Sequence, residues 1–180
     1  MSKHQITFGL SVSDISNALE ELERYMTRLQ RATAYFSEAL ALLGCKRMEQ
    51  AIDDAQAATA GGDGGFNDAF ATWYKKEETD TTVTYIIEMS GEGVLFVEFG
   101  AGVHFNGNLH GSPHPQGVEL GYTIGDYPSE HPPSQGMYDG WMSPFGYTHG
   151  QQAACAIPAA MNEMRTNLIK AAQEAWAQAG

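Results

Sequence analysis

Five of the six histidines, His104, His110, His114, His131 and His149, fall between residues 100 and 150. Imidazoles at that density invite a metal centre, with Glu98 just upstream as a carboxylate ligand. The spacing argues against one. His110 and His114 are four apart, but Gly111-Ser112-Pro113 between them prevents the helix that would put both rings on one face. The chain has no His-Glu-x-x-His and no Cys-x-x-Cys. Cys155 stands near an expected helix start, where a thiol pKa can fall, but Ala153, Ala154 and Ala156 around it point to packing. No Gly-x-Ser-x-Gly elbow presents a serine. The residues therefore predict no catalytic, cofactor or metal site and no enzyme. The alternative is a metal-dependent enzyme or binding protein centred on Glu98 and the loop histidines.

The elements that would position these side chains follow from periodicity. Ile6, Phe8, Leu10 and Val12 alternate with polar or small residues, as in a half-buried strand. Ser13-Asp14 then offers an N-cap. From there Ile15, Leu19, Leu22, Met26, Leu29, Phe36, Leu40 and Leu43 follow a 4-3-4-3 spacing, interrupted only at Thr33. So long an apolar stripe predicts a helix packed on a core, with self-association as the other use for it. Gly44 reads as a break before a weaker helix from Cys45 to about Ala60, and Gly61-Gly62-Asp63-Gly64-Gly65 as a linker. Ala69–Glu77 and Thr81–Met89 read as an antiparallel hairpin with one wet face. Val94–Phe99 is a short helix or a buried strand, and helix is the reading taken. Near the end, Ile157, Met161, Met164, Leu168, Ala171 and Ala175 form a second helical stripe, starting near Ala156 because Pro158 is tolerated only in a first turn.

Between 100 and 150, 11 Gly and 6 Pro resist regular structure. The same stretch carries Phe105, Tyr122, Tyr127, Trp141 and Phe145 among its large side chains. Disordered linkers are poor in aromatics, so this is a long functional loop, one that orders against a partner, or one that folds back on its own domain. The fold expected is α+β: a small antiparallel sheet packed by long N-terminal and C-terminal helices, with this Gly/Pro/aromatic-rich loop projecting. The 180 residues suit one domain, 1–180.

The chain carries a formal net charge of −12, and no Lys or Arg occurs between Lys76 and Arg165. Nucleic-acid binding draws its affinity from cations that displace phosphate counterions, so this stretch excludes that class. A solvated acidic surface is the simpler reading; a surface that repels polyanions or meets a basic partner is the sharper one. No apolar run approaches the roughly 18 residues of a membrane span, and no signal-peptide stretch follows Met1. Cys45 and Cys155, the only cysteines, read as small apolar residues of a reducing compartment.

The run Gly91-Glu92-Gly93-Val94-Leu95-Phe96-Val97-Glu98-Phe99-Gly100-Ala101-Gly102-Val103-His104-Phe105-Asn106 sets an apolar turn before Glu-Phe-Gly-x-Gly and a His-aromatic-Asn. His114-Pro115, Glu119-Leu120-Gly121, Trp141, Thr148-His149-Gly150 and Met164-Arg165 follow in order. This ordered set resembles the gene-product-ten-like family of minor structural proteins in long-tailed phages, the neck or tail-completion proteins. The resemblance covers about residues 5 to 178 and implies a non-enzymatic virion protein. It implies a homo-oligomeric ring, six-fold symmetry being one option, at the head–tail junction of a phage or prophage. The partners implied are head-completion or connector proteins and tail-tube or tail-terminator proteins. Genome DNA would pass through without specific binding, and no membrane is involved. The implied location is the virion, with the host cytoplasm during assembly. Glu98, Phe99, Gly100, Gly102, His104, Phe105, Tyr122, Tyr127, Trp141 and Phe145 are the residues expected to carry subunit contacts.

Overall fold

The helix that dominates the N-terminal third starts earlier than its sequence suggests. In the computed structural model, Ser11 is the N-cap: its Oγ accepts from the Asp14 amide at 3.1 Å and donates to Asp14 Oδ2 at 2.5 Å. The Ser11 carbonyl takes the first helical bond, from the Ile15 amide at 3.1 Å. Val12 is therefore helical rather than the end of a strand, and Ser13-Asp14 lies inside the first turn. A serine hydroxyl placed three residues before an acidic side chain closes this end more fully than Ser13 could. The structure describes residues 9, 11–58, 68–79, 82–100, 114–116, 119, 141–143, 146–148 and 153–180. Expectations for 1–8, the 59–67 linker and most of 101–140 lie outside these.

The elements in chain order are α1 (Val12–Ala58), β1 (Phe70–Glu78), β2 (Val83–Ser90), α2 (Val94–Phe99), β3 (Trp141–Ser143), β4 (Gly146–Thr148) and α3 (Ala156–Gln178). The class is α+β, as expected. β1 and β2 pair as a two-stranded sheet. The four residues joining them permit only an antiparallel arrangement, and the Thr79 amide closes the turn onto the Thr82 carbonyl at 2.8 Å. β3 and β4 form a second antiparallel pair, with Trp141 opposite Thr148, Met142 opposite Tyr147 and Ser143 opposite Gly146. That pair lies within the stretch read from sequence as loop, where Gly and Pro mask two three-residue strands. Among the described residues no helix is long and apolar enough to cross a membrane.

Two compact units make up the chain. One comprises Met1–Leu40, Lys75–Tyr85 and Asn167–Gly180, the other Ala41–Tyr74 and Ile86–Thr166. In the first, the Arg28 guanidinium stacks 4.4 Å above the Trp176 ring and donates to the Trp176 carbonyl at 3.2 Å. The Tyr25 ring tilts against the same indole at 5.9 Å. Ala32, Ala171, Ala175 and Ala179 are buried here. The α3 residues among them recur once per turn, so α3 turns its small face inward and leaves Leu168 and Ile169 exposed. The large-residue stripe expected on α3 is thus not its buried face. Nor is the first part of the α1 stripe: Ile15, Leu19, Leu22, Met26 and Leu29 are all exposed.

The second unit holds the core. Cys45, Met48, Ala51 and Ile52 of α1 meet Ala69 and Ala71 of the β1 edge, Val97 of α2, and Ala156 and Ala160 of α3. Trp73, Ile87 and Met89 of the sheet pack against them. Five of these nine core residues are alanine, so the elements approach closely. Gly44 belongs to that approach and does not interrupt α1. A Cβ there would stand 2.7 Å from Ile87 Cδ1 and 2.8 Å from Met164 Sδ. A glycine inside a helix costs about 1 kcal/mol in propensity, and here it makes room for a strand and a second helix. Burial, with Glu49 nearby, pushes the Cys45 thiol pKa up, in line with its expected packing role.

Candidate functional site

α3 begins with Ala156-Ile157-Pro158 and has no Ser, Thr, Asp or Asn before it to cap the amides that a helix start leaves without partners. One residue of α2 supplies all of them. The Glu98 carbonyl accepts from the Cys155 amide at 3.2 Å. Its carboxylate accepts from the Ala156 amide at 2.7 Å and the Ile157 amide at 3.1 Å. Pro158 has no amide hydrogen, and the Ala159 amide makes the first helical bond, to the Cys155 carbonyl at 3.0 Å. The negative charge also sits where the helix dipole favours it. Reciprocally, the Ala154 amide satisfies the Val97 carbonyl at the end of α2, at 2.7 Å. Each helix end closes the other.

His114 completes the clasp. It is 4% exposed, and Glu98 only 1%. Its Nδ1 accepts from the Gln116 amide at 3.0 Å, so the ring proton belongs on Nε2, which donates to Glu98 Oε1 at 2.9 Å. The Phe99 ring lies against the imidazole at 4.3 Å between centroids. Immediately after, Gly100 has φ +81° and ψ 160°, a region open to glycine almost alone. Its amide bonds back to the Phe96 carbonyl at 2.9 Å, ending α2.

The start of α2 uses the same device. Asp68, 25 residues upstream of Gly93, accepts from the Glu92 amide and, at 3.5 Å, from the Gly93 amide. Gly91 has φ +139°, and a Cβ there would lie 2.7 Å from the Asp68 carbonyl oxygen and 2.9 Å from Ala69 Cα. Glycine is required both by the backbone angle and by that contact.

Cys155 is the described non-glycine residue with positive φ, at +47°. That conformation costs roughly 1–2 kcal/mol for an L-residue, and the hydrogen bonds on its amide and carbonyl hold it there. Burial pushes its thiol pKa up, and the nearby Glu98 charge adds to the rise. The rise fits the packing role read from its alanine neighbours rather than the fall a helix start can bring, because the Glu98 carboxylate already occupies the positive end.

The site residues read from sequence divide accordingly. Glu98, Phe99 and Gly100 come together, joined by His114, in the interior of one unit. Trp141 lies on β3. Gly102, His104, Phe105, Tyr122, Tyr127 and Phe145 lie outside the described residues, as do His110, His131 and His149. Asp68 and Gln116 were missed. The signal for Glu98's role was the bare start of α3, whose donors had to find a distant acceptor. Chemically, both Glu98 oxygens and both His114 nitrogens are engaged. Among the described residues no three His, Cys, Asp or Glu side chains gather as metal ligands. Comparison with protein-family models, curated proteins and solved structures finds no match for this chain.

Proposed function

We propose that the protein is a structural subunit of a phage or prophage particle, placed where the head meets the tail. Copies associate into a ring that joins the capsid connector to the tail, as neck or tail-completion proteins do. The observation that carries this reading is the clasp. Glu98, Phe99, Gly100 and His114, the motif residues on which the resemblance rests, are spent on holding two helix ends together. A motif whose polar atoms are consumed by the framework suits a component that must be rigid and presents surfaces to neighbours. The apolar surface left open on α1 and the aromatic content of residues 100–150 suit association between copies. The cation-free stretch 77–164 suits a lumen through which DNA slides without sticking.

Immunogold electron microscopy of particles from the source phage or an induced prophage tests the reading. Label confined to the head–tail junction is the expected result. Particles without label, in which mass spectrometry finds none of the protein, would sink it. The second reading, a metal-dependent enzyme or binding protein around Glu98 and the loop histidines, draws on the 2.9 Å contact between Glu98 and His114. It predicts stoichiometric zinc that is lost in His110→Ala and His131→Ala variants. The structural reading predicts no such zinc.

A further inference from the structure

The first turns of α1 carry a seam with a partner implied by its own geometry. Val12, Ile15, Leu19, Leu22, Met26 and Leu29 alternate spacings of three and four, the a and d positions of successive heptads. All six belong to one compact unit, and all stand exposed, from 43% at Ile15 to 82% at Val12. Such a stripe is shaped for the knobs and holes of another helix with the same period. The seam runs for about 26 Å of helix. Taking ordinary side-chain areas, these exposures amount to roughly 600 Å² per chain, or about 1,200 Å² when two such seams meet, the lower bound for a stable specific interface.

We infer that α1 pairs with the α1 of a second copy of this chain through the Val12–Leu29 seam. The pair is isologous and two-fold, so it is distinct from the head-to-tail contact that closes a ring, and it does not rest on the head–tail reading. Light scattering of the full-length protein after size exclusion should give twice the 19.5 kDa of the chain, or a larger assembly built from such pairs. Leu19→Lys with Leu22→Lys should reduce the dimer to monomer while the low-temperature circular-dichroism spectrum keeps its helical signal, because both positions are exposed in the single chain. A wild-type monomer at every concentration would overturn the inference, as expected if a segment of the same chain covers the seam. So would an assembly that the double variant leaves intact. A short thiol crosslinker should join Leu22→Cys chains above the wild-type level, since Leu22 lies near the middle of the seam. Particle labelling with the double variant separates the two claims, since labelled particles with a monomeric variant leave the head–tail reading standing.

Discussion

At the junction of α2 and α3 every amide of the helix start has an acceptor, and Glu98 is 1% exposed. Along α1 from Val12 to Leu29, six apolar side chains each keep 43% or more of their surface in solvent. Both regions use the residue types that ordinarily decide their fate, yet in opposite directions. The charged residue is deep inside and the leucines are outside. Burying a carboxylate is costly unless its oxygens are hydrogen-bonded, and here backbone amides and an imidazole bond them. Exposing a leucine costs little by itself, whereas a regular row of them marks a surface that meets something. One region is closed by its own chain, and the other is open to another.

The sharpest way to break this contrast is Glu98→Ala. It would leave the Ala156 and Ile157 amides and His114 buried without their acceptor, and should lower stability by about 3–5 kcal/mol in urea unfolding. A loss below about 1 kcal/mol would mean that water or another group replaces the carboxylate. Gly91→Ala comes next, at about 2 kcal/mol, because its Cβ meets backbone atoms that cannot swing away. His114→Ala should cost about 1 kcal/mol, since Glu98 keeps its amide donors. A loss as large as that for Glu98→Ala would make the imidazole an equal member of the clasp.

The smallest effect concerns the thiols. Burial raises the Cys45 and Cys155 pKa values, so the folded chain holds these protons more tightly than the unfolded chain. The stability this linkage provides is present at neutral pH and lost as pH rises through the raised values. Labelling of both thiols at mildly alkaline pH should therefore be slower in the folded protein than in urea. Equal rates in the two states would show that Cys155 is open to reagent and that its surroundings do not hold the thiol protonated.

Much of the frame was legible in the sequence because it follows from periodicity. The hairpin, the helical reading of Val94–Phe99 and the start of α3 at Ala156 agree with the structure. The errors share a cause. Gly44 looked like a stop because glycine weakens helices, but Ile87 and Met164 require its missing side chain, and they are far away in sequence. The first part of the α1 stripe and the large residues of the α3 stripe are apolar, yet the structure leaves them exposed. Alanine, whose small size lets elements approach, holds the interior of α3 at Ala156, Ala160, Ala171 and Ala175, and of these Ala171 and Ala175 belonged to the expected stripe. Glu98 stood out by its place in a motif. Its capping role depends on an α3 start 58 residues downstream, which no local pattern connects to it.

The bonds from Val97 and Glu98 to Ala154 and Cys155 also set the terms on which the intervening chain can change. Among the described residues, the two ends of that segment are fastened side by side by groups of α2 and the start of α3, with His114 joining them. Closing a flexible segment costs free energy only as the logarithm of its length, about 0.6 kcal/mol for each doubling. Lengthening the segment between them would therefore add little to the closure cost of the clasp.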